Sequence, residues 1–339
     1  MRVSVIGGGG WGLALARLLH RNGHSLQVWE HNATYLANLI SNHANPALLP
    51  GITLPEDIVF TGDFAGVEQF SPHIIILATP SQYLRPTLRS MPLEAQKGIW
   101  MSPKLLAVVN VAKGIEEGSL QTLDAVLAEL LPEAMQHKIC ALSGPSHAEE
   151  VALEVPTAVV VAGRDEDLLI TLQGIFSNDY FRVYRSNDLL GVEIGGAVKN
   201  IIAIAAGIID GLGFGDNTIG ALLTRGIVEI QRFGVALGAK AETFWGLSGL
   251  GDLVTTATSP HSRNRYVGKR IGEGKKLRQI VQEMEMVAEG VATTNSVYQL
   301  ALQRGIEMPI VREVWEILYQ EKDPRQAIVS LMTRELKAE

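Results

Sequence analysis

Cysteine is nearly missing from this chain: Cys140 is the single one among 339 residues, so no internal disulfide can form. One cysteine fits a reducing compartment, and its place inside an apolar run reads as an inert core thiol. Charge is also sparse, at 19% of residues, and the balance is acidic with a formal net charge of −7. The summed field repels polyanions, which argues against a nucleic-acid partner. Any anionic ligand must therefore meet a local cluster of cations. Unbroken apolar runs of membrane length are lacking too. The longest apolar stretch, 189–209, carries Glu193, Lys199 and Asn200, so it reads as a buried helix and not as a membrane span. Residues 1–6 run straight into glycines without a targeting pattern, so the expected location is cytoplasmic. No metal site is expected. His20 and His24 have i, i+4 spacing, but Gly23 stands between them and no nearby acid completes a set.

Hydrophobic residues make up 47% of the chain, enough for large cores, and the length points to two domains. The segments 3–6, 26–29, 74–78, 105–109, 139–142 and 158–161 are short apolar runs separated by longer mixed stretches. Strands alternating with helices predict a parallel sheet with right-handed crossovers. After Tyr184 the apolar residues recur at helical spacing, through 189–209, 219–237, 276–287, 293–304 and 310–319. The expected fold is α/β: a Rossmann-type doubly wound parallel sheet over 1–185, followed by a mostly α-helical domain over 186–339.

Gly7-Gly8-Gly9-Gly10-Trp11-Gly12 satisfies G-x-G-x-x-G through Gly7, Gly9 and Gly12. In a chain with 34 glycines the pattern alone says little, but its context is specific. It follows the first strand, opens a helix from Trp11 to about Arg21, and a second strand then ends at Glu30. Gly7 permits the tight turn, Gly9 lets the backbone approach a pyrophosphate, and Gly12 allows close helix–strand packing. The pyrophosphate would sit on the free N–H groups at the helix start. A ligand-free glycine turn is the plainer alternative.

Three polar constellations follow. Lys113 comes just past the strand at 105–109, where side chains face a ligand crevice. It can neutralise a phosphate or polarise a carbonyl, or it can be a solvated loop lysine. Ser143-Gly144-Pro145-Ser146-His147-Ala148-Glu149 follows another strand. Ser146 with Glu149 predicts a capping box and a helix N-terminus able to face an anion. His147 reads as packing or solvated. In the second domain, Lys199 sits inside a nearly all-apolar helix, where desolvation favours a proton-shuttling amine. A buried ion pair, with Asp252 as its partner, is the structural alternative. Ser262-Arg263-Asn264 joins a bidentate cation to a hydroxyl and an amide just before a new helix. That suits phosphate, and equally an ordinary N-cap with surface arginines.

Taken together, G-x-G-x-W-G, Lys113-Gly114-Ile115-Glu116, Ser143-Gly144-Pro145-Ser146, Gly195-Gly196-Ala197-Val198-Lys199-Asn200, Gly249-Leu250-Gly251-Asp252 and Ser262-Arg263-Asn264 resemble the bacterial-type NAD(P)-dependent glycerol-3-phosphate dehydrogenases. The resemblance covers nearly the whole chain. It implies a Rossmann-type first domain, a helical second domain and an active site in the cleft between them. It also implies Lys199 as proton acceptor, with Lys113, Gly144, Ser146, Lys199, Asp252, Ser262, Arg263 and Asn264 as substrate contacts. The cofactor contacts it implies are Trp11, His31, Lys113, Ala148, Arg263, Val287 and Glu289, beside the glycines. The expected reaction is reversible hydride transfer between NAD(P)H and dihydroxyacetone phosphate, giving sn-glycerol 3-phosphate for glycerophospholipid synthesis. Departures exist. Gly10 replaces a commoner small polar residue, which should leave a backbone-mediated site intact. His147 stands where phenylalanine is usual, and Leu48 where an aromatic is usual.

Two other readings compete. A β-hydroxyacid dehydrogenase would place asparagine four residues after the catalytic lysine, whereas position 203 is alanine and the asparagine is Asn200. A non-catalytic nucleotide-binding regulator would have no need of Lys113, Lys199 and Arg263 together. Cofactor choice turns on Glu30, 18 residues past Gly12. An acid there accepts hydrogen bonds from ribose hydroxyls and repels a 2′-phosphate. His31 pulls the other way when protonated, so NADH is expected to serve at least as well as NADPH, with NADPH gaining as pH falls. The expected partner is a small phosphorylated substrate, and a homodimer stays compatible with the sequence.

Overall fold

A computed structural model describes residues 1–339 except Glu285, Lys337 and Glu339. The chain divides into two compact units: Met1–Lys113 with Gln121–Glu193, and Gly114–Leu120 with Ile194–Glu339. A single cut at 185 has no counterpart for the loop Gly114–Leu120. That loop goes with the second unit, where Ser296 donates to the Ile115 carbonyl at 3.1 Å and Asn295 to Glu117 at 3.3 Å.

The first unit is built on eight strands: β1 (Arg2–Ile6), β2 (Ser25–Trp29), β3 (Val59–Thr61), β4 (Ile74–Leu77), β5 (Ala107–Asn110), β6 (Ile139–Ser143), β7 (Thr157–Gly163) and β8 (Phe181–Ser186). Their order in the sheet is β3-β2-β1-β4-β5-β6-β7-β8. Strands β1 to β6 run parallel, as a Rossmann-type sheet requires. Side chains alternate across it. Ile74, Ile76, Ala107 and Val109 join the helix Gly10–Arg21 in one apolar layer. Ile75, Leu77 and Val108 join Phe64, Leu88, Ile99 and Leu127 in the other. Both faces are covered, so the strands read as continuous apolar runs.

The expected parallel sheet is present, with one antiparallel pairing among its strands. β7 pairs with β6 antiparallel, and β8 runs parallel to β7. The link from Ser143 to Thr157 holds one five-residue helix, Ala148–Ala152. At about 1.5 Å per residue it spans roughly half of a five-residue strand, too little for a full crossover. β3 and β8 were not anticipated. β3 is a three-residue edge strand with no buried residue, and β8 alternates Phe181 and Val183 with Arg182, Tyr184 and Arg185. Cys140 lies in the core, and burial pushes its thiol up to about 12, well outside the reactive range.

The second unit is helical. Its main elements are Leu189–Gly211, which begins in the first unit, Asp216–Ala236, Arg263–Gly272, Glu289–Arg304 and Pro309–Gln320. Leu189–Gly211 is the one helix among the described residues long and apolar enough to cross a membrane, and its apolar stretch is buried in the protein. Asp252–Thr258 and Pro324–Met332 are additional helices too short or too polar to stand out in sequence.

Candidate active site

In the first unit the glycine-rich segment makes the turn expected of it. Gly7 has φ +117°, with Ala78 and Thr79 backbone 2.9 Å from where a Cβ would stand. A Cβ on Gly12 would collide with the Gly7 carbonyl. Both positions are closed to side chains. Gly9 caps the helix Gly10–Arg21 without any side-chain bond, and a Cβ there would meet nothing within 4 Å. No acid occupies the first turn of that helix. Trp11 follows, its indole N–H buried without a hydrogen-bond partner. Uncapped N–H groups, an open face at Gly9 and this orphaned donor fit a dinucleotide pyrophosphate.

Gly10 is packed too closely to carry a side chain. A Cβ on it would come within 2.5 Å of the Leu48 carbonyl oxygen, so glycine is required here by the loop that carries Leu48. The same imaginary Cβ lies 3.8 Å from Ala148 Cβ, which places two of the expected cofactor residues side by side.

Glu30, just past β2, does not point to solvent: it is 4% exposed. One carboxylate oxygen accepts the Gly8 N–H at 3.0 Å, and the other accepts the Asn32 N–H at 2.7 Å. His31 is the exposed member. Its Nδ1 lies 3.1 Å from Glu30, and its ring stacks on Trp29 at 6.1 Å.

Beyond β5 the Lys113 ammonium donates to the Gly144 carbonyl at 2.9 Å. Ser146 donates to the same carbonyl at 2.9 Å. The expected capping box therefore does not form. The cap residue is His147, with no side-chain cap bond, because the Ser146 hydroxyl is turned back to Gly144. Two hydroxyls that the sequence reading passed over, Thr79 past β4 and Ser143 at the end of β6, are buried without hydrogen-bond partners. Their place at strand carboxyl ends was the available signal.

In the second unit Lys199 is 5% exposed and donates to Asp252 at 2.9 Å and to Thr256 at 2.5 Å. Thr256 in turn donates to the same Asp252 oxygen at 3.2 Å. The ion pair named as the structural alternative is thus present. The carboxylate offsets the desolvation of the ammonium and holds it at one place. Close packing positions the pair: a Cβ on Gly195 would come within 2.6 Å of the Ser248 carbonyl.

Ser262 caps the helix Arg263–Gly272, accepting the Arg265 N–H at 3.2 Å, so the hydroxyl proton stays available. Asn264 donates to the Asn200 side chain and accepts the Gly290 N–H, both at 2.9 Å. That ties the Lys199 helix to the Arg263 helix and to the start of Glu289–Arg304. Arg263 is exposed and donates to the Val287 carbonyl at 2.9 Å. Lys199 with Asp252, and Ser262, Arg263 and Asn264 with Val287 and Glu289, therefore gather within this unit. Gly7, Gly9, Gly10, Trp11, Gly12, Glu30, His31, Lys113, Gly144, Ser146 and Ala148 belong to the first. Thr256 was not singled out, although its i+4 spacing from Asp252 on one helix would have found it. Among the described residues no group of three His, Cys, Asp or Glu stands close enough to hold a metal ion.

Comparison with known proteins decides what this arrangement belongs to. Residues 2–169 match the model of the NAD-dependent glycerol-3-phosphate dehydrogenase N-terminus, and residues 188–329 match that of its C-terminus. The chain belongs to the NAD-dependent glycerol-3-phosphate dehydrogenase family. A glycerol-3-phosphate dehydrogenase (NAD(P)+) of Citrifermentans bemidjiense is 48% identical over 339 residues, covering 100% of this chain and 98% of the relative. One from Syntrophotalea carbinolica is 47% identical over 100% of this chain and 99% of the relative. The crystal structure of glycerol-3-phosphate dehydrogenase from Coxiella burnetii superposes with a TM-score of 0.90 at 34% identity, covering 98% of this chain and 99% of that one. Family membership sets aside the β-hydroxyacid dehydrogenase reading.

Proposed function

We propose that this chain catalyses reversible hydride transfer between NAD(P)H and dihydroxyacetone phosphate, giving sn-glycerol 3-phosphate. The observation that carries the reading is the buried Lys199 ammonium, held by Asp252 and Thr256 in a family member that also presents Arg263. A bound nicotinamide dinucleotide supplies the hydride. Lys199 delivers the proton to the developing alkoxide in reduction and takes it back in oxidation, while Asp252 and Thr256 fix its position. Lys113 places positive charge near the same oxygen. Ser262, Arg263 and Asn264 take the substrate phosphate, and Gly144 and Ser146 add substrate contacts.

Gly7, Gly9, Gly10, Trp11 and Gly12 hold the pyrophosphate side of the cofactor, and Glu30 with His31 the adenosine ribose. Lys113, Ala148, Arg263, Val287 and Glu289 complete that set. In this reading residues 1–185 form the dinucleotide-binding domain and 186–339 the substrate-binding domain, each lending a few residues to the other's ligand. It extends to a cytoplasmic enzyme that feeds glycerophospholipid synthesis and to a homodimer, which light scattering on the purified protein checks.

The test is NADH oxidation at 340 nm with dihydroxyacetone phosphate, in wild type and Lys199→Ala. Loss of a general acid typically lowers the rate by 10² to 10⁴. A variant that keeps kcat within about threefold removes Lys199 from the chemistry.

A further inference from the structure

Glu193 is a buried carboxyl group with no place in the scheme above. One of its oxygens accepts the Asn110 amide at 3.0 Å, and the other accepts the Asp124 backbone N–H at 3.0 Å. Asn110, the last residue of β5, is nearly fully buried and also bonds the turn that follows. It donates to the Ala112 carbonyl at 3.2 Å and accepts the Ala112 N–H at 3.1 Å. Lys113 is the next residue.

From this geometry we propose that Glu193 is a positioning residue: by orienting Asn110 it fixes the turn 110–112 and thereby the place from which the Lys113 ammonium acts. Asn110 has four hydrogen-bonding sites, and the turn uses two of them. Without an acceptor at Glu193 the amide is free to rotate away from Ala112, and the backbone feeding Lys113 loses the clamp that Asn110 places on the Ala112 N–H and C=O. Burial and the neighbouring Asp124 carboxylate push the Glu193 acid well above its ordinary range. Asp124 is itself paired with Arg164 at 2.7 Å. What the arrangement asks of Glu193 is an acceptor oxygen toward Asn110.

The inference rests on the reading that Lys113 acts on the substrate, and Lys113→Ala alone reports on that reading through kcat/KM for dihydroxyacetone phosphate. For Glu193, the informative set is Glu193→Gln, Glu193→Leu and Asn110→Ala, each in wild-type and Lys113→Ala backgrounds. Glutamine keeps an acceptor for Asn110, so Glu193→Gln should stay within about threefold of wild type. Glu193→Leu and Asn110→Ala should each lose roughly 10- to 100-fold in kcat/KM, as misplacement of a catalytic charge does. In the Lys113→Ala background the same changes should add less than about twofold, because the group they position is gone. Asn110→Ala carries the test if Glu193→Leu does not fold. Losses that multiply in the double variants would overturn the proposal. So would Glu193→Gln falling as far as Glu193→Leu, or Asn110→Ala retaining wild-type activity.

Discussion

Arg263 is exposed, yet one guanidinium nitrogen is engaged by the Val287 carbonyl, which aims the fork and leaves its other donors available. A planar fork held in this way suits a phosphate better than a free lysine would. Arg263→Ala should weaken use of dihydroxyacetone phosphate by about 1.5–3 kcal/mol, and use of unphosphorylated dihydroxyacetone far less. Equal losses in kcat/KM for the two substrates would remove Arg263 from the phosphate. Glu30 argues the cofactor question in the same terms. Two backbone N–H groups hold its carboxylate, and the oxygen that accepts the Gly8 N–H keeps a lone pair for a ribose hydroxyl. A fixed, buried negative charge repels a 2′-phosphate, so wild type should use NADH at least as well as NADPH. Glu30→Gln should raise the NADPH-to-NADH ratio of kcat/KM roughly tenfold, about 1.4 kcal/mol. An unchanged ratio, or a strong NADPH preference in wild type, would take the role from Glu30. The sequence located Glu30 and Lys199 by spacing and by apolar context. It could not supply the Gly8 N–H on Glu30, the reach of Lys199 to Thr256 or the Asn200–Asn264 link, because those partners meet only when separate elements pack.

The same limit applies to elements. Buried strands β1, β2 and β4 to β6 were legible because both faces of each are covered, leaving mostly apolar text broken in β1 and β2 by the paired Ser4 and Gln27. The edge strands β3 and β8 were not, since one is three residues long and the other alternates with arginine. The direction of β7 depends on how short the helix Ala148–Ala152 is, and a boundary that fine is beyond residue patterning. Contact between the Leu48 loop and the start of the helix Gly10–Arg21 is likewise invisible in sequence, and it yields a prediction. Gly10→Ala forces a Cβ to within 2.5 Å of the Leu48 carbonyl, so the loop must move or the helix start must shift. Overpacking of this kind costs about 1–3 kcal/mol. Thermal denaturation should show that loss, and NADH titrated by fluorescence should bind more weakly than to wild type. Unaltered melting and affinity would mean that the loop yields freely to a side chain at this position.

For the molecule as a whole, the net charge of −7 makes rising pH mildly unfavourable through self-repulsion, and one buried acid sharpens that trend. Glu229 lies buried in the helix Asp216–Ala236. It accepts the Ile310 N–H at 2.8 and 3.1 Å and the Val311 N–H at 3.4 Å, capping the helix Pro309–Gln320, whose first residue has no N–H to offer. Burial pushes its acid up to about 7, against the opposing pull of those N–H groups and of Arg232 and Arg334. Between the ordinary carboxyl range and pH 7 the folded protein keeps a proton that the unfolded chain has released. Stability from this group is therefore fully present below the unfolded value and is lost as pH rises through about 7. The total is about 3 kcal/mol at most. Glu229→Gln keeps an acceptor for Ile310 without titrating. Urea unfolding between pH 5 and pH 8 should show wild type losing about 1–3 kcal/mol more than the variant. Self-repulsion and the titration of Glu193 are common to both proteins and cancel in that difference. Parallel stability curves for the two would show that Glu229 stays ionised across the range, with its helix cap strong enough to offset burial.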